Sequence, residues 1–137
     1  MAQSRSFIRA RYAEAAETLD ALLQMPYRIS RRTSNHTYET GLLATELGHI
    51  RLQLKLSGEW MANDHPRLAT SFQEVRTLVE AEVSPRLTEA WASPASSEAP
   101  FAEADPAVAA AVRRWKRTSR LRFFPLRLLL PLRVQSR

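Results

Sequence analysis

The only spacing in the chain that suits metal ligation is Glu46 with His49, a Glu-x-x-His arrangement that sets a carboxylate and an imidazole one helical turn apart. A di-iron centre inside a helical bundle takes two such pairs and two more inward carboxylates, and no second pair occurs here. The chain has no cysteine, which removes thiolate metal sites, cysteine nucleophiles and disulfides together. No serine stands in a Gly-x-Ser-x-Gly turn, and Gly41, Gly48 and Gly58 are too dispersed to cradle a phosphate. Glu80 and Glu82 sit two residues apart, a separation that points them away from each other on a helix. The expectation is therefore a non-catalytic protein without a cofactor, with a metal protein or enzyme built on His49 as an alternative.

A stronger chemical signal lies at the C-terminal end. Residues 1–112 hold 11 Lys or Arg and all 14 Asp or Glu, whereas residues 113–137 hold nine Lys or Arg and no acid. The net charge of +6 is thus a mildly acidic body joined to a strongly basic end. Interleaved with those cations are Trp115, Phe123, Phe124 and six leucines. Positive charge next to apolar area suits an acidic protein partner or an anionic membrane surface. Nucleic acid ranks third, because phosphates and bases give no reason for the leucines, although an Arg-rich accessory protein for nucleic acid stays an alternative. The residues expected to carry the attachment are Arg113, Arg114, Trp115, Lys116, Arg117, Arg120, Arg122, Phe123, Phe124 and Arg127. The competing reading is that the leucines fold back over a seam of the bundle.

These groups must be positioned by helices. Few glycines and abundant Ala, Leu, Arg and Glu are a helical composition. Ile8, Tyr12, Ala15, Leu19 and Leu22 recur at alternating steps of four and three, predicting a first helix that ends or bends at Pro26. Tyr38 to Met61 carries a second row of Leu43, Leu47, Ile50, Leu54 and Met61, with Thr37 or Thr40 as its cap and Ser57-Gly58 as a possible early stop. Within it Ile50 to Leu56 alternates as a strand would, but its leucines and long polar side chains favour a helix. A third helix starts at Asp64 as cap, carries Leu68, Phe72, Val75 and Val79, and is kinked or broken at Pro85, with Trp91 closing the core.

Residues 93–105 read as an Ala, Ser, Pro and Glu linker, after which Asp105-Pro106 opens a basic helix with Val108, Val112 and Trp115 on one side. The prediction is an all-α protein: an antiparallel bundle of three long helices over residues 1–92, the linker, and a basic helix with an irregular apolar tail over 106–137. Gly41, Ala44 and Gly48 form a strip of small side chains suited to close approach of a neighbouring helix or of a second copy. Arg28, Arg31 and Arg32 are expected to be solvated loop residues. Neither a signal peptide nor a spanning segment is apparent, so the expected location is cytoplasmic, at a membrane periphery if the tail meets lipid.

Residues 12 to 60 resemble the first two helices of DinB-like bundles, in which a histidine in the second helix supplies a metal ligand. The resemblance puts His49 at that position. The later histidine pair of that family has no counterpart, since the chain holds only His36, His49 and His65.

Overall fold

The structure is a computed structural model in which residues 5–99 and 101–123 are described. Four α-helices and no strand occur among these residues: α1 (Arg5–Ser30), α2 (Thr37–Asp64), α3 (Pro66–Ala92) and α4 (Pro106–Leu121). The fold is an all-α bundle. The two N-terminal helix starts converge near Tyr12 and Leu68, and the ends of α1 and α3 meet at Arg32, so these two helices run parallel. Helices α2 and α4 run antiparallel to them. Each of α2 and α4 packs on both α1 and α3, and their own backbones do not approach each other. The α1–α3 pair is thus the middle of the molecule, flanked by α2 on one side and α4 on the other.

The predicted apolar rows are the core. Tyr12, Ala15, Leu19 and Leu22 are buried, as are Leu47, Ile50, Leu54 and Met61, and Leu68, Phe72, Val75 and Val79. Helix α4 contributes Val108, Ala111, Val112 and Trp115 to the same apolar cluster. Burial of these side chains, at about 1.5–3 kcal/mol for each large one, offsets the backbone entropy of four ordered helices.

Several boundaries differ from the sequence reading. Helix α1 continues through Pro26 to Ser30, and α3 through Pro85 to Ala92. A proline removes one helical hydrogen bond, but stopping there would expose Ile29, which is fully buried, or Leu87 and Ala90, which are also buried. Helix α2 takes the longer of its two expected courses, running through Ser57-Gly58 to Asp64 where Asn63 was the expected end. Its cap is His36 and not Thr37 or Thr40: the imidazole Nδ1 accepts from the amide of Tyr38. His65, not Asp64, caps α3 in the same way by accepting from Leu68. Asp105 caps α4 as predicted, accepting from Ala107 at 2.8 Å.

The glycines also divide differently. A Cβ at Gly41 or Gly48 would meet nothing within 4 Å, so no helix among the described residues uses their small size. Gly58 is the closely approached one, with the Gln73 amide lying over it. Gly48→Ala is accordingly expected to raise stability by up to about 1 kcal/mol, the helix-propensity difference. Urea unfolding at low micromolar protein checks this; a loss of stability would mean that the site is crowded.

Candidate interaction surface

The predicted attachment residues separate into two groups. Trp115 is in the core, 3% exposed, with its indole N–H donating to the Leu68 carbonyl at 3.3 Å and its ring on Phe72. Lys116 pairs with Asp20 of α1. Arg122 grips Asp64 through Nε at 3.3 Å and Nη2 at 3.1 Å, and Phe123 stacks edge-on against Tyr12. Phe124 and Arg127 lie outside the described residues, as do the leucines from 126 onward.

The second group is Arg113, Arg114, Arg117 and Arg120. Their spacing puts them on the side of α4 opposite Val108, Ala111, Val112 and Trp115, and all four are exposed. None pairs with a carboxylate among the described residues. Among the described residues Arg28, Arg51, Arg86, Lys116 and Arg122 are each matched to an acid, whereas Arg5, Arg9, Arg11, Lys55, Arg67 and Arg76 are not, so what sets α4 apart is the gathering of four such cations on one face. Arg9 of α1 and Arg120 line one cleft together with Ala16, Phe123 and the carboxylates Glu17 and Asp20. The surface is therefore a row of unpaired guanidiniums on a rigid helix, each able to hold a carboxylate or phosphate through two parallel hydrogen bonds.

Two clusters hold this row in place. At the lower end, the Tyr12 hydroxyl donates to Asp64 at 2.7 Å, and Asp64 also receives Arg122, so one carboxylate joins α1, the end of α2 and the end of α4. Burial, and then the bond to Asp64, holds the Tyr12 phenol far above its ordinary range, so it keeps its proton. At the other end, the three arginines expected to be solvated are all engaged. Arg28 grips Glu46 in a fork, at 2.5 and 2.8 Å, and that hydrogen bonding keeps the Glu46 carboxyl below the usual range. Arg31 donates to the Ser97 and Ala99 carbonyls and so fixes the 93–105 segment, which Arg86 also holds through Ala102 and Glu103. Arg32 is buried and donates to carbonyls of both α1 and α3. Local sequence offered no sign of the link to α3, because Ala90 and Ser93 lie 58 and 61 residues from Arg32.

His49 is exposed on α2, and both oxygens of Glu46 are occupied by Arg28. Among the described residues no three His, Asp or Glu side chains gather as a metal site would require. No helix among them is long and apolar enough to cross a membrane.

Compared with known proteins, the chain matches no family model, no curated protein and no solved structure.

Proposed function

We propose that the protein is a non-catalytic interaction protein of the cytoplasm that attaches to an acidic protein surface through the exposed arginine row of α4. The observation that carries this reading is that Arg113, Arg114, Arg117 and Arg120 are presented together on one exposed face of a packed helix, with no carboxylate paired to any of them among the described residues. A helix lying in a lipid interface needs an apolar face turned to the acyl chains, and the apolar face of α4 is spent on the core. Nucleic acid would use the same guanidiniums for phosphates, but stacking on bases calls for an open aromatic among them, and the aromatic that α4 carries, Trp115, is buried. An acidic protein asks only for the fork geometry that this row offers.

The test compares the full chain with the triple variant R113E/R117E/R120E for retention on immobilised poly-glutamate, phosphatidylserine vesicles and duplex DNA across a salt series. Binding of the wild-type chain to poly-glutamate is expected to weaken steeply with salt. At about 1 kcal/mol for each basic contact, the variant should bind at least a hundredfold more weakly. Its thermal unfolding should be unchanged, because the three side chains have no partners to lose. Retention on DNA alone, or equal retention of both proteins on poly-glutamate, would refute the reading.

A further inference from the structure

Helix α2 is apolar on two opposite sides, and the bundle covers only one. Its inner side buries Leu47, Ile50, Leu54 and Met61. Its outer side carries Tyr38, Leu42, Leu52 and Leu56, which are 72%, 54%, 51% and 49% exposed. With Thr45 and His49 these residues fall at steps of four, three, four, three and four, an unbroken heptad row about 27 Å long at 1.5 Å per residue. A row with that period is the seam of a helix pair, and no helix among the described residues lies on it.

We propose that this face pairs with the same face of a second copy, α2 against α2 in antiparallel orientation. The inference does not depend on what α4 binds. What selects a second copy is that the row is complementary to itself. Turned end for end about a two-fold axis near Leu47, Tyr38 meets Leu56 of the second copy, Leu42 meets Leu52, and Thr45 meets His49, with the same three contacts repeated on the other half. Every apolar residue then faces an apolar one, and the two polar layers, related by the axis at the centre of the seam, each pair a hydroxyl with an imidazole. The parallel alternative would stack Thr45 on Thr45 and His49 on His49, and would bring Glu59 against Glu59.

The flanks agree. Gly48 lies beside the axis, where the two helices cross most closely, and its missing side chain meets nothing in its own chain. Gly41 falls opposite Lys55 of the second copy and leaves room for its stem. On the other flank Glu46 would approach its own copy, and Arg28 already neutralises it in a forked pair. Ala44 lies beyond the two glycines and outside the seam. The pairing covers on the order of 500 Å² on each chain, about 1,000 Å² in all, which is the lower edge of specific interfaces. The dimer should therefore form at micromolar concentration and dissociate on dilution.

Sedimentation velocity of the full chain from about 1 to 500 µM is expected to show a reversible shift from monomer to dimer. L42E and L52E, both at exposed positions, should each remain monomeric throughout with an unchanged helical circular-dichroism signal. Orientation is read by disulfide trapping in this cysteine-free chain. Mixing L42C with L52C should give the mixed dimer, and L42C alone should give little, because its two sulfurs would be offset by about 15 Å along the axis. A chain that stays monomeric at 500 µM, a dimer that survives both glutamates, or efficient trapping of L42C with itself would each overturn the proposal.

Discussion

Replacing Arg32 with methionine is expected to lower the unfolding free energy by about 3–5 kcal/mol, the range for breaking a buried charged network from one side. The side chain is 4% exposed. Its Nη1 donates to the carbonyls of Ile29 at 2.8 Å and Ala90 at 3.0 Å, its Nη2 to Ser93 at 2.7 Å, and its Nε to Asn35 at 2.9 Å. The guanidinium also lies over the ring of Trp91, 5.5 Å from its centre. Because α1 and α3 are parallel, their negative dipole ends arrive at the same place, and one cation serves both. Methionine keeps most of the volume but takes the side-chain donor from the Ala90 and Ser93 carbonyls in a place that water reaches poorly, at about 1–3 kcal/mol for each such group, while the Ile29 carbonyl keeps the backbone amide of residue 32. Lysine should recover only part of the loss, since a single ammonium on a flexible stem cannot reach four acceptors in a plane. Urea unfolding of the three proteins checks this; a methionine variant within 1 kcal/mol of wild type would show that the network contributes little.

Trp115→Ala should cost about 3–5 kcal/mol as well, by a different route. The indole fills the junction between α1, α3 and α4, with Phe72 at 5.0 Å and Tyr12 at 6.4 Å between ring centres. Truncation leaves a cavity there and removes the indole N–H bond to the Leu68 carbonyl, which keeps the Ser71 hydroxyl as a donor. The size of the effect also reports how α4 belongs to the molecule. If α4 shares one cooperative unit with α1 to α3, the variant should lose stability in a single transition seen equally by circular dichroism and fluorescence. A loss below 1 kcal/mol would make α4 an appendage whose docking is weak.

The helices were legible in the sequence because each core row repeats at alternating threes and fours, over about five turns in α2 and two to four in the others, a pattern that only a helix places on one side. The strand-like alternation from Ile50 to Leu56 has a physical source: Ile50 and Leu54 face the core while Leu52 and Leu56 form the outer row, so two helical stripes superpose into a period of two. Less legible were features set by partners distant in the chain. Proline at 26 and 85 reads locally as a stop or a bend, and the burial of Ile29 and Leu87 beyond them is what removes the stop. The clustered Arg28, Arg31 and Arg32 read as a solvated loop, yet their acceptors are Glu46, Ser97 and the ends of α1 and α3, which the fold brings to them. Of the surface residues, the exposed row on α4 followed from helical spacing alone. Trp115, Lys116 and Arg122 did not, because whether a cation or an aromatic faces outward depends on whether Asp20, Leu68 and Asp64 stand across from it.

The placement of α2 and α4 on opposite flanks of the α1–α3 pair has a geometric consequence. Two chains joined back to back through α2 would hold their cationic edges at the far extremes, pointing away from each other and separated by the thickness of both bodies. Such a particle is poorly shaped to clasp one object twice and well shaped to stand between two, so its avidity would be gained only where acidic targets lie on both sides.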